Sequence, residues 1–313
     1  MQDFETKFHG AMLGMALGDA IGELAYRFPR RAHLLAQIDT MDTLFYTGDT
    51  AMAVALTQSL IQVGDVDPKH LGKTIREHFL KQPHRCFGPG LPKILAAVEK
   101  DGISYVDAAR RMYHGQGSLG NGAAMRVPSV GLLFHNHPDL YHKAETSATV
   151  THIHPVGTDG AAVMAKAVAL SIALRKGMID TTHYCEQLIA FARTPEVQGK
   201  MIRVAELIAD REMPMKAAHQ LGRSVTVHES MPFALFCFLL HPHDFVEALG
   251  TAISNGGDCN TLGAMTGALC GAYLGLEDIP QSWREKLENT DYLASLASQL
   301  AEQARESVTE AQA

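Results

Sequence analysis

Two short segments, Thr47-Gly48-Asp49-Thr50 and Asp258-Cys259-Asn260-Thr261, place carboxylate, amide and hydroxyl oxygens at the start of strongly apolar stretches more than two hundred residues apart. Oxygen-only clusters suit a hard cation such as Mg²⁺, which takes one or two carboxylates and completes its octahedron with neutral oxygens, water or ligand. The same residue types are preferred helix N-caps, so a helix start explains either segment, taken singly, more economically than a metal site. Between them lies Gly117-Ser118-Leu119-Gly120-Asn121-Gly122-Ala123-Ala124-Met125-Arg126. Small residues let backbone N–H groups face a concave nest that binds phosphate, although an ordinary turn uses the same glycines. The stretch is neither a P-loop nor a dinucleotide fingerprint. In Thr151-His152-Ile153-His154-Pro155 two histidines stand at i and i+2, but no further Cys or His follows at zinc spacing. Tyr113, four residues before the glycine-rich stretch, could stack on a base or pack in the core. Glu229 lies in a capping arrangement, Val227-His228-Glu229-Ser230.

The elements that must position these residues read as helices. Apolar residues at three-to-four spacing occur over 5–22, 50–63, 68–81, 91–99, 104–113, 143–151, 158–176, 181–193, 198–209, 214–222, 230–240, 243–254, 261–275 and 280–288. Alternating apolar and polar runs are short, so an all-α protein is expected, with one domain over 1–300 and a C-terminal tail, 301–313, that frays. Gly10, Gly14, Gly18 and Gly22 recur every fourth residue, as do Gly263, Gly267, Gly271 and Gly275. Glycine inside a helix costs roughly 1 kcal/mol relative to alanine, so these two helices are expected to press their bare faces closely against neighbours.

Composition narrows the function. A net charge of −7 over 313 residues, with no basic stripe, argues against nucleic acid as a partner. Five scattered cysteines without C-x-x-C spacing imply neither a disulfide framework nor a zinc site. The opening Met-Gln-Asp-Phe-Glu lacks a secretion signal. The apolar runs 11–22 and 261–276 fall short of the ~20 residues that span a bilayer, so no membrane partner and a cytoplasmic location are expected.

Taken in order, the segments resemble the ADP-ribosylglycohydrolase family, which contains dinitrogenase reductase activating glycohydrolase and the ADP-ribosyl-acceptor hydrolases. The likeness runs from Gly10 to about Trp283. It is carried by Leu17-Gly18-Asp19-Ala20-Ile21-Gly22, Tyr46-Thr47-Gly48-Asp49-Thr50-Ala51-Met52, Gly120-Asn121-Gly122-Ala123-Ala124-Met125-Arg126, Thr151-His152, Phe236-Cys237-Phe238-Leu239 and Gly256-Gly257-Asp258-Cys259-Asn260-Thr261. Ile279-Pro280-Gln281-Ser282-Trp283 is most similar to the branch with the ADP-ribosylserine and poly(ADP-ribose) hydrolases. The resemblance implies an orthogonal multi-helix all-α domain with a binuclear Mg²⁺ centre in a cleft that binds ADP-ribose or an ADP-ribosylated protein. Carried over by position, the metal ligands are Thr47, Asp49, Asp258, Asn260 and Thr261. Ser118, Leu119, Gly120, Asn121 and Gly122 would hold the diphosphate beside His152, and Tyr113 would stack on adenine.

Three positions depart from the family pattern. Gly48 replaces the first aspartate of a Thr-Asp-Asp segment, Asn260 replaces the second aspartate of an Asp-x-Asp-Thr segment, and Tyr26 stands where a glutamate is common. Fewer carboxylates leave the charge of two Mg²⁺ ions poorly compensated, so affinity for at least one is expected to fall. Two functions follow from the resemblance. One is hydrolysis of an ADP-ribosyl linkage, with water activated by Asp49 or Asp258 and with Glu23 or Glu229 as proton donor or acceptor. The other is retention of ADP-ribose or a related nucleotide without turnover, as a reader, inhibitor or regulator.

Overall fold

Glycine every fourth residue leaves a strip of bare backbone along a helix, and the two strips in this chain face each other. The computed structural model describes the backbone of residues 2–310 and the side chains of 4–306. In chain order the helices are α1 (Gln2–Ala25), α2 (Arg31–Thr40), α3 (Gly48–Val63), α4 (Pro68–Lys81), α5 (Gly90–Asp101), α6 (Tyr105–Arg110), α7 (Pro128–Leu133), α8 (Leu140–Ala148), α9 (Pro155–Ala173), α10 (Thr181–Phe191), α11 (Pro195–Ala209), α12 (Pro214–Leu221), α13 (Val227–Leu240), α14 (Phe245–Ile253), α15 (Cys259–Leu274), α16 (Gln281–Lys286) and α17 (Thr290–Glu310). The described residues form no strand, only isolated bridges pairing Leu44 with Leu287 and Gly120 with Thr226, so the expected all-α class is observed.

Helices α1 and α15 run antiparallel in backbone contact. A Cβ on Gly10, Gly14 or Gly18 would lie 2.4, 2.4 or 2.0 Å from the carbonyl oxygen of Gly271, Gly267 or Gly263. Added to the opposing glycines, a Cβ would meet Gly10, Gly14 and Gly18 just as closely. At the far end, a Cβ on Gly22 would come 2.3 Å from the Cys259 carbonyl oxygen. The expected close packing therefore has a definite partner, each strip being the neighbour of the other. Its geometric result is that the C-terminal end of α1 is pinned beside the N-terminal start of α15. Around this pair α9, α13 and α14 cover α15, while α17 lies against α1, α3 and α7. One large hydrophobic core extends from Phe8 to Ala304, with a small satellite of Ile94, Ala108 and Ala109.

Three helices lie outside the expected ranges. Helix α2 buries only Leu34 and Ile38 and has no side-chain cap, so its periodic signal is faint. Helix α7 is a single short stretch begun by Pro128, which suits a first helical position. Helix α17 corrects the expected frayed tail: it continues to Glu310, and Leu300, Ala301 and Ala304 are fully buried. Its inner face includes Ala297, Ala301 and Ala304, and alanine is a weaker marker of burial than leucine. The remainder of the expected tail, 311–313, lies outside the described residues. Helix α9 also corrects the membrane estimate, since it is long and apolar enough to cross a bilayer by length and composition. Most of its residues are buried among neighbouring helices.

The start of α3 is held against α1 by Asp19. This fully buried carboxylate accepts from Thr47 through its N–H (2.9 Å) and hydroxyl (2.8 Å), and from Thr50 through its N–H (3.0 Å) and hydroxyl (2.7 Å). Thr47 in turn caps α3 by accepting from the Asp49 N–H at 3.3 Å. Just upstream, Leu44 donates to the Lys286 carbonyl at 2.7 Å and Glu288 donates to the Leu44 carbonyl at 3.1 Å. The Arg85 guanidinium donates to both Glu288 carboxylate oxygens, at 2.6 and 2.9 Å, and to the Tyr46 carbonyl at 2.6 Å. These contacts fix the loop through Cys86 and Gly90 beside Thr47.

Two predictions follow from this scaffold. Gly267→Ala drives a methyl group into the Gly14 carbonyl and is expected to destabilise the fold by about 1–3 kcal/mol or more in urea unfolding. Gly199→Ala, in α11 with nothing near its Cβ position, should instead stabilise by roughly 0.5–1 kcal/mol. Equal effects would remove the close-contact account. The second concerns Asp19, whose pKa burial pushes up from 3.8 to about 6 despite its four donors. A raised carboxylate adds stability that is complete below its unfolded pKa and is lost as pH rises through the folded one. Asp19→Asn should therefore lose more stability at pH 4.5 than at pH 7.5, by on the order of 2 kcal/mol. A deficit that grows with pH would show that the four donors outweigh burial.

Candidate active site

The junction of α1, α3 and α15 opens into a cleft of about 450 Å³. Its floor and acidic end are Glu23, Tyr26, Asp49, Asp258, Asn260 and Thr261. The opposite side is built from Ser118, Gly120, Asn121 and Gly122 with Thr151 and His152, and the 86–91 loop closes a third side. A wider concavity of about 960 Å³ along Gln281–Tyr292 has neither a glycine-rich loop nor a histidine. Chemistry therefore points to the smaller cleft.

At the acidic end the two oxygen-bearing segments meet. The Thr261 hydroxyl donates to Asp49 Oδ2 at 2.6 Å, and Asn260 Nδ2 approaches Thr47 Oγ1 at 3.4 Å. Asp258 Oδ2 accepts from Asn121 Nδ2 at 2.7 Å, which ties the glycine-rich loop to the start of α15. The Tyr26 hydroxyl lies 3.0 Å from Asn260 Oδ1 and 3.3 Å from Asp258 Oδ1, and it accepts from the Cys259 N–H at 3.0 Å. Burial is the main force raising the Asp49 pKa well above the carboxylate range, and the Asp19, Asp258 and Glu23 charges add to it against the Thr261 hydrogen bond. Glu23 is also raised, first by burial and then by Asp258, with Arg27 opposing.

The glycine-rich loop is shaped from both sides. Asn121 N–H donates to the Val225 carbonyl at 2.9 Å and Val227 N–H to the Leu119 carbonyl at 3.1 Å, fastening the loop to the segment before α13. Gly117 has φ +75°, and a Cβ there would lie 2.8 Å from the His154 backbone nitrogen, so only glycine fits this turn. Beneath it Arg126, fully buried, donates to the carbonyls of Gly122 (2.9 Å), Ser147 (3.0 Å) and Ala148 (3.4 Å). His152 Nδ1 pairs with the Thr151 hydroxyl at 2.7 Å, while its Nε2 faces Gly120 and Gly122, 3.4 and 3.3 Å from where their Cβ atoms would be. Burial, reinforced by the Arg126 charge, pushes the His152 pKa down to about 3, so the ring is neutral at physiological pH. Tyr113 is 54% exposed, which decides against a core role and places it on the cleft lining near Met112 and Ile94.

Not every expected site residue reaches the cleft. Thr47 is buried behind the lining in the Asp19 network, and Leu119 takes part through its backbone. Glu229 lies elsewhere: its carboxylate accepts from the Ser224 N–H at 3.2 Å and packs against Gly222, so it braces the turn before α13 and does not replace Glu23. His154 caps α9 by accepting from the Val156 N–H at 3.2 Å and does not pair with His152 on a metal. Asp19, which stands in the Leu17–Gly22 motif without an assigned role in the sequence, sets the position of α3 through its four hydrogen bonds. The 86–91 loop went unnoticed because nothing local marks it.

The oxygen set does not fit a pair of Mg²⁺ ions. Among the described residues no group of three or more His, Cys, Asp or Glu side chains is arranged to hold a metal. Both Asp19 oxygens are occupied by Thr47 and Thr50, leaving Asp49 and Asp258 as the nearest compensating charges with Glu23. A side chain at position 48 would be tightly placed, with a Cβ 3.0 Å from the Arg85 carbonyl oxygen and 3.1 Å from Phe87 Cα, so the 85–87 loop would have to shift by a few tenths of an ångström to admit a carboxylate.

Comparison with known proteins agrees with this architecture. The chain is 30% identical to mouse ADP-ribosylhydrolase ARH3, covering 92% of this chain and 90% of the relative. It is 29% identical to the human protein of the same name, covering 92% of each, and 30% identical to an uncharacterized protein of Archaeoglobus fulgidus over 95% of this chain and 97% of the other. A solved structure titled ADP-ribosylglycohydrolase-related protein complex superposes with a TM-score of 0.75 at 25% identity, covering 97% of this chain and all of the other. The pattern of the ADP-ribosylglycohydrolase family matches residues 1–309, and with relatives aligned over nearly its full length, the chain belongs to the ADP-ribosylglycohydrolase family.

Proposed function

We propose that this protein hydrolyses the bond between ADP-ribose and a protein side chain, or a closely related ADP-ribose conjugate. The observation that carries the reading is the convergence of Glu23, Asp49 and Asp258 on one cleft with the glycine-rich loop and a neutral His152. The 118–122 loop and His152 receive the diphosphate, and Tyr113 stacks on the adenine. Breaking a glycosidic bond to ribose needs a proton for the departing side chain and a base for the incoming water, around an oxocarbenium-like transition state. Glu23, whose burial favours the protonated form, supplies the proton. The Asp258 carboxylate, oriented by Asn121 and Tyr26, activates the water. Asp49, also held toward its protonated form, donates a hydrogen bond to a ribose hydroxyl.

A second reading, retention of ADP-ribose without turnover, is favoured by one specific feature. Tyr26, Gly48 and Asn260 keep hydrogen-bonding or packing roles while carrying no charge.

Release of ADP-ribose from Ser-, Arg- and Thr-linked substrates distinguishes the two. Hydrolysis predicts turnover in the wild type that Glu23→Gln lowers by about 100-fold or more while ADP-ribose affinity stays nearly unchanged. The wild-type rate should fall as pH rises through the Glu23 pKa, since the protonated form is the working one. Calorimetric binding of ADP-ribose with no release from any of the three substrates would select the second reading. Under either reading Tyr113→Ala should weaken ADP-ribose binding by about tenfold, the low end of a base–aromatic stack. An unchanged affinity would remove Tyr113 from the binding surface.

A further inference from the structure

We infer that the Tyr26 hydroxyl takes the position that a divalent cation would take against the Asp258 and Asn260 oxygens at the start of α15, and that the cleft binds ADP-ribose without Mg²⁺. The inference rests on the proposed ligand only for what the cleft holds; the polar arrangement stands independently of it.

The argument is a balance of donors and acceptors. Asp258 receives Asn121 Nδ2 on one oxygen and the Tyr26 hydroxyl on the other. Asn260 receives Tyr26 on its carbonyl oxygen and gives its amide to Thr47. Asp49 receives the Thr261 hydroxyl. Tyr26 shares its single proton between Asp258 and Asn260 and accepts the Cys259 N–H, one of the first N–H groups of α15, which has no partner within its own helix. A cation entering here would have to strip these donors from the oxygens and leave the Cys259 N–H without its acceptor. The two bonds that Tyr26 donates are open to solvent and serve to fix geometry, whereas the part-buried Cys259 N–H would be left without an acceptor.

The surrounding packing is matched to this arrangement. The 85–87 loop lies against Gly48 where a side chain would project, and the Arg85–Glu288 pair holds that loop in place. A side chain at position 48 therefore has to displace the 85–87 loop, while Tyr26 and Asn260 can be changed at the open cleft. Restoring a metal site should be easier from the Tyr26 side than from the Gly48 side.

The test titrates purified protein with Mg²⁺ by calorimetry and with Mn²⁺ by electron paramagnetic resonance, without nucleotide. The wild type should show no saturable binding, and Tyr26→Glu/Asn260→Asp should bind saturably with an affinity at least ~10-fold above the upper limit set by the wild-type titration, the size of effect that one supporting residue has at metal sites. Gly48→Asp should lower the melting temperature and gain no metal. Saturable Mg²⁺ or Mn²⁺ binding by the wild type would overturn the inference. So would a failure of the folded double variant to bind either ion, since the Tyr26 position would then not be a metal position. ADP-ribose titrations with and without EDTA complete the test: equal affinities are expected, and binding that EDTA abolishes would overturn the inference. Absence of ADP-ribose binding in both conditions would refute the ligand proposal alone, leaving the metal result to stand by itself.

Discussion

The backbone contact between α1 and α15 is the constraint on which the rest of this structure depends. Carbonyl oxygens of one helix occupy the places where the other would carry Cβ atoms, at four successive levels from Gly10 to Gly22. Such proximity costs helix propensity at every glycine, and it is offset by close packing along the length of the core. Its functional result appears at one end only. Because the contact persists to Gly22 and Cys259, Tyr26 emerges within hydrogen-bonding range of Asp258 and Asn260, and Glu23 emerges on the same cleft. A shift of one residue in register would separate them.

A buried carboxylate and an ion pair complete what the glycines begin. Asp19 extends the rigid pair to a third helix by holding Thr47 and Thr50, so Asp49 faces α15. The Arg85–Glu288 pair, largely buried, sets the loop that closes the cleft and packs on Gly48. These interactions are polar, directional and remote from water, which makes them suited to fixing position more than to adding net stability. The opposite wall follows the same logic. Arg126 donates its hydrogen bonds to main-chain carbonyls, drawing the glycine-rich loop onto the end of α8, and its charge adds to the burial that keeps His152 neutral.

Family membership and local chemistry thus point in slightly different directions. The scaffold and the comparisons agree with an ADP-ribosylglycohydrolase, while at the acidic end Tyr26 and Asn260 supply hydrogen bonds and Gly48 supplies packing without adding charge. A neutral phenol bridging an aspartate and an asparagine imposes geometry without bringing charge into a half-buried cleft. Tyr26 just past the end of α1, Gly48 on α3 and Asn260 on α15 each have a defined contact, the first and third with α15 polar groups or Thr47 and the second with the 85–87 loop.

Much of the helical pattern was legible in the sequence, because long apolar stretches with capping residues announce themselves locally. The exceptions follow from physics: α2 buries too few side chains to show a period, α7 is short, and α17 presents a face rich in alanine. The glycine repeats revealed that backbones would meet, and the motifs identified Asp49, Asp258, the 118–122 loop and His152 as one group. By itself, then, the sequence determined helix class, the glycine strips and the chemical inventory, since these depend on near neighbours in the chain. Only the tertiary structure decided that the strips pair with each other, that Asp19 anchors α3, that Glu229 lies away from the cleft and that Tyr26 bridges Asp258 and Asn260. Each of those depends on residues brought together from distant parts of the chain by packing, a relation that no local spacing encodes.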